Sequence, residues 1–101
     1  MFIESEYFYR YLEIITDNLF TEAEKFKTQR HHILPKFYFK ALGKEVDNSN
    51  RNIVNLSYPE HILAHVYMSK CAINDDVRFK NLFSVYKLFG SKRFSSESLT
   101  E

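Results

Sequence analysis

The longest stretch of this chain without Lys, Arg, Asp or Glu is His61 to Ser69, only nine residues. A helix crossing a bilayer needs about twenty predominantly apolar residues, so the sequence offers no membrane span. Every element must be short and amphipathic, gathered around one small core. At 101 residues, 45% of them hydrophobic and 17% aromatic, the chain holds enough apolar material for one such core and no more. The N-terminus carries Glu4 and Glu6 where a secretory signal would carry basic residues, so a cytoplasmic location is expected. Cys71 is the single cysteine, which excludes an intramolecular disulfide and any multi-cysteine zinc site.

Apolar periodicity sets the expected elements. Tyr7, Tyr11, Leu12, Ile15 and Leu19 follow helical steps over residues 4–20, with Ser5 or Glu4 opening the helix. Thr21-Glu22-Ala23-Glu24 fits a capping box, so a second short helical or irregular stretch is expected there. Residues 29–34 are β-capable up to Pro35, and Ile53, Val54 and Leu56 read as a second strand. Residues 36–51 between them form a long connection ending in the turn-forming run Asp47-Asn48-Ser49-Asn50. Ser57-Tyr58-Pro59-Glu60 opens a helix running to about residues 70–72. Asn74 or Asp75 caps a last helix over about 76–89, whose stripe is Phe79, Leu82, Phe83, Tyr86 and Phe89. Residues 91–101 are expected to be a frayed tail.

All four histidines fall in two tight pairs, His31-His32 and His61-x-x-x-His65. On a helix, His61 and His65 lie one turn apart on one face and suit chelation of one transition-metal ion. A third imidazole can come only from His31 or His32, whose side chains point to opposite faces of a strand. One can therefore face a metal while the other faces a substrate. The metalloprotease pattern H-E-x-x-H is absent, because Ile62 follows His61.

The net charge of +1 hides an asymmetry. Residues 1–24 carry six acids against Arg10, whereas residues 25–93 carry thirteen Lys or Arg against five acids. The basic segment suits either a polyanion or a solvated surface facing the acidic N-terminal helix.

Together, His31-His32-Ile33-Leu34-Pro35, Asn52 nine residues before His61, and the H-x-x-x-H helix resemble the HNH endonucleases. The likeness covers about residues 28–71 and looks closest to small phage and mobile-element members. It implies an α+β fold with a ββα-metal (HNH) core at 28–71. Flanking α-helices would lie in the N-terminal segment 1–27 and at 74–90, all within a single domain. It also implies a DNA endonuclease in which His31, His61 and His65 resemble the metal ligands, His32 the general base, and Asn52 the asparagine that fixes the backbone around it. The cofactor would be one divalent ion. Three imidazoles favour Zn, Ni or Co, with Mn or Mg also open. Arg30, Lys36, Lys40, Lys44, Arg51 and Lys70 are the expected DNA phosphate contacts, or in part plain solubilising charges. Two features depart from the family pattern: no Gly-Gly follows Pro35, and no cysteine pairs flank the motif. A metal-bound module that grips DNA or a protein partner without cutting, such as a phage-type inhibitor, is the alternative.

Overall fold

The computed structural model describes residues 1–90; the expected tail at 91–101 lies outside the described residues. Among them the fold is α+β, with four helices and one two-stranded antiparallel sheet. The elements are α1 (Glu6–Asp17), β1 (Thr28–His32), α2 (Lys36–Ala41), β2 (Ile53–Ser57), α3 (Tyr58–Lys70) and α4 (Asp75–Gly90). None of these helices is long and apolar enough to cross a membrane.

Local chemistry explains the boundaries. The Ser5 side chain accepts from the Phe8 amide and starts α1. Ser57 and Glu60 form the expected reciprocal capping box at α3, with Pro59 in its first turn. Asn18 links α1 to this box by donating to Glu60 Oε2 at 3.0 Å. Asn74 accepts from the Val77 amide and opens α4.

Residues 21–27 take the irregular form, not the helical one. Thr21 Oγ1 donates to Asn18 Oδ1, so its hydroxyl is spent backwards on α1 and caps nothing ahead of it. The segment enters β1 through Phe26, whose φ of 68° places a bulky side chain in the left-handed region. The 36–51 connection is more structured than expected, because Lys36–Ala41 coil into α2. Pro35 suits the position just ahead of such a helix, where no backbone donor is needed.

The strands pair with His31 opposite Val54 and His32 opposite Ile53. Gln29 and His31 of β1, and Val54 and Leu56 of β2, are buried, as strand alternation requires. Val54 and Leu56 meet Tyr11 and Ile15 of α1 and Ala64 and Met68 of α3 in one core cluster. Each fully buried side chain of this size, such as Leu56 or Met68, contributes about 1.5–3 kcal/mol. Tyr58, His61, Ala64 and Met68 form the buried stripe of α3, so a histidine occupies a core position.

The expected apolar stripe of α4 does not face the core. Phe79, Leu82, Phe83, Tyr86 and Phe89 are all exposed, and α4 meets α3 through its opposite face, with Val77 and Asn81 buried. A helix can present only one face to α3. The face that wins carries the polar group His65 needs, since Asn81 Oδ1 lies 3.0 Å from His65 Nδ1. Leaving that imidazole nitrogen without a partner would cost up to about 1–3 kcal/mol.

Candidate metal centre

His31 reaches the site from the buried face of β1, and His61 and His65 from successive turns of α3. The three rings surround a common point, with centroids 5.0–5.1 Å apart. Each offers one nitrogen, and these nitrogens all lie within 4.8 Å of one another.

The outer nitrogens are held by side chains of α1, β1 and α4. His61 Nδ1 is 2.8 Å from Gln29 Oε1, which can only accept. His61 therefore carries its proton on Nδ1 and its lone pair on Nε2. Asn81 directs its amide nitrogen to the Val77 carbonyl, which leaves Oδ1 to accept from His65 Nδ1. His65 Nε2 thus also bears a lone pair. Tyr11 gives its one hydroxyl proton to the Ile33 carbonyl at 2.8 Å, so toward His31 Nε2, at 2.9 Å, it can only accept. His31 must donate through Nε2, which leaves the lone pair on Nδ1.

The consequence is electrostatic. His61 Nε2 and His65 Nε2 stand 3.2 Å apart with lone pairs facing each other. Two acceptors at that distance call for a cation between them. Two metal–nitrogen bonds of about 2.0–2.1 Å would span this 3.2 Å gap. A proton on the rings is disfavoured. Burial, then neighbouring imidazoles, hold His31 well below the usual histidine range. The same two causes push His61 down to about 3. Burial lowers His65, against an opposing hydrogen bond to Asn81. The donor set is three neutral nitrogens with fixed tautomers, which fits Zn, Ni or Co better than Mg.

His32, next in sequence, occupies the other face. It is half-buried, with Nε2 2.8 Å from Asn48 Oδ1. Donation to that oxygen leaves Nδ1 free to accept a proton. Asn52 is buried and does not touch the His32 ring. Its Oδ1 accepts from the Leu34 amide, and its Nδ2 donates to the carbonyls of Leu34 and Asp47. Its own carbonyl accepts from the Ile33 amide. Four bonds thus clamp the backbone that follows His32 against the loop that supplies Asn48.

A groove of about 200 Å³ opens onto these groups, lined by His31, His32, His61 and His65 together with Arg30 and Lys36. No acidic side chain lines it among the described residues. Of the other expected phosphate contacts, Lys40 and Lys44 are exposed on α2 and the loop after it. Arg51 is exposed beside Asp47, 3.9 Å away. Lys70, in the last turn of α3, rests over the Tyr7 ring of α1 at 5.0 Å and does not line the groove.

Sequence reasoning missed Tyr11, Gln29, Asn48 and Asn81. Tyr11 hides in an apolar stripe, and Asn48 in a run of turn formers. The other two left a signal. Gln29 shares the inner face with His31 at spacing two, and Asn81 is a polar residue on the side of α4 opposite its aromatic stripe. No protein-family model, no curated protein and no solved structure matches this chain.

Proposed function

We propose that the chain is a metal-dependent DNA endonuclease of the HNH kind, with β1, β2 and α3 as its ββα-metal core. The observation that supports it best is the convergence of three inward-facing imidazole lone pairs beside a fourth histidine on the same basic groove. A purely structural metal site would have no use for His32 at the groove, nor for Arg30 and Lys36 at its mouth.

His31 through Nδ1, and His61 and His65 through Nε2, would hold one divalent ion. When bound, that ion supplies positive charge to the scissile phosphate and to the leaving 3′-oxygen, and lone-pair donation by neutral ligands leaves its full charge available. Arg30 and Lys36 draw the DNA backbone into the groove and neutralise neighbouring phosphates. His32 Nδ1 accepts the proton of the attacking water, while Asn48 holds the far side of the ring. Asn52 acts one step back, by fixing the backbone that aims His32.

Nicking of supercoiled plasmid, with and without added divalent metals, tests the reading. Metal-dependent nicking by the wild type, lost in His32→Ala, is expected. DNA binding without cleavage under every metal would instead favour the non-catalytic module.

A further inference from the structure

The turn that leads into β1 works against its own side chain. Phe26 holds a φ of 68°, a conformation that glycine adopts freely and a bulky residue adopts at a cost. Three hydrogen bonds impose it. The Lys27 and Thr28 amides donate to the Glu24 carbonyl, both at 3.0 Å, and the Glu24 amide donates to Thr28 Oγ1 at 2.8 Å. The ring gains little burial there, because Phe26 is 63% exposed. A phenylalanine that strains the backbone and still meets water contributes little to the fold, which points to a use at the surface.

The surroundings of the ring suit one kind of ligand. Lys25 Nζ stands 5.2 Å from the ring centroid. Lys25, Phe26, Thr28 and Tyr58 line a hollow of about 270 Å³. No acidic side chain lines it among the described residues, and Glu24, at the start of the turn, is paired with Lys27 at 3.8 Å. An aromatic face beside an ammonium group is the combination that grips an unpaired nucleic-acid strand, with the base on the ring and the phosphate near the cation.

The hollow also continues the histidine groove, as two independent spacings show. Along β1, Thr28 precedes Arg30 by two residues, hence by about 7 Å on the same face, and Arg30 lines the groove. Along α3, Tyr58 precedes His61 by three residues, nearly one turn, on the same buried stripe. Hollow and groove therefore lie side by side along β1 and α3. A step of about 7 Å matches about two nucleotides of a DNA strand at 3.4 Å each.

We infer that the hollow receives an unpaired base of the DNA strand whose phosphate occupies the groove, stacked on Phe26, so that the preferred substrate carries a single-stranded tail close to the scissile phosphate. The strand's place in the groove rests on the nuclease reading. A base inside a duplex is already stacked between its neighbours, so an intact duplex does not engage the ring.

The test is fluorescence anisotropy with labelled oligonucleotides and the full His32→Ala chain equilibrated with zinc, which keeps the DNA intact. The probes are a blunt duplex, the same duplex with a short 5′ or 3′ single-stranded tail, and the tailed duplexes with abasic tails. One of the tailed duplexes is expected to bind about 10- to 100-fold more tightly than the blunt one, and the abasic tail should remove the gain. Phe26→Ala should lose the same gain and leave blunt-duplex binding unchanged, whereas Phe26→Tyr should keep it. Phe26→Gly should lose it without melting below its parent, because relief of the backbone offsets the freedom that glycine adds to the unfolded chain. Equal binding of blunt and tailed duplexes, a gain that survives in Phe26→Ala or with an abasic tail, or a Phe26→Gly chain that melts well below its parent would overturn the inference and leave the nuclease reading standing. A tail preference that follows Phe26 in a chain whose wild type nicks no DNA would support the inference and overturn that reading. A chain that binds none of the probes would overturn both.

Discussion

His31 and His32 are neighbours on one strand, yet the regions they face obey different rules. On the inner side, His31 is 2% exposed and its ring, like those of His61 and His65, is fixed by a partner from another element. On the outer side, His32 meets solvent, two basic residues and a single loop asparagine. The inner region is built to hold neutral nitrogens still. The outer region is open to solvent along a basic groove. One strand residue separates the two, because alternation along a strand turns a one-residue step into a change of face.

Acid should break the comparison first. Above about pH 7, folded and unfolded chains both keep these histidines neutral. Below 6.5 the unfolded chain binds protons that the folded inner site resists, because all three histidines are held below their usual range, His61 down to about 3. The metal-free protein should therefore lose stability as pH falls through that window. His61 alone gives a slope approaching about 1.4 kcal/mol per pH unit, and His31 and His65 act in the same direction. Thermal melts of metal-free protein between pH 7 and 4 check this, and flat melting temperatures would contradict it.

The outer region should fail differently. His32→Ala is expected to cost about 10²–10⁴ in cleavage rate without loss of bound metal. Loss of metal in that variant would mean that the two histidines exchange roles. Measuring nicking rate and metal content on the same preparation separates the outcomes.

Supporting residues sharpen the contrast. Tyr11→Phe and Asn81→Ala should each weaken metal affinity about 10–100-fold, because they free the rings they orient. Asn48→Ala, acting on the outer ring, should leave metal affinity unchanged and lower the cleavage rate by less than His32→Ala does. Competition titration with a chelating indicator reads the affinities, and steady-state nicking reads the rest. Equal effects of Asn48→Ala and Asn81→Ala on affinity would erase the distinction between the faces.

The elements that were legible in the sequence are those set by short-range chemistry. Ser57, Pro59 and Glu60 announce α3, and Asn74 announces α4, because a cap is a bond between residues two or three apart. The pairing of His61 with His65 was legible for the same reason, since one helical turn joins them. What was not legible depends on distant contacts. Gln29 and His61 are 32 residues apart, and Tyr11 and His31 are 20. No local pattern says that a tyrosine in an apolar stripe will spend its hydroxyl on a histidine. The aromatic stripe of α4 shows the limit most plainly. Periodicity identified an apolar face correctly, but periodicity carries no information about which face another element needs. The face that packs carries Val77 and Asn81, and the bond from Asn81 to His65 is a contact no periodicity reveals.

The central claim is that three converging imidazoles present their lone pairs to one metal ion. Its most direct test is the stoichiometry of metal bound to purified, dialysed protein, measured for the wild type and for His61→Ala/His65→Ala by elemental analysis after equilibration with zinc. One ion per chain in the wild type and none in the double variant is the predicted result. An unchanged stoichiometry in the double variant, or a wild type that retains no ion, would contradict it.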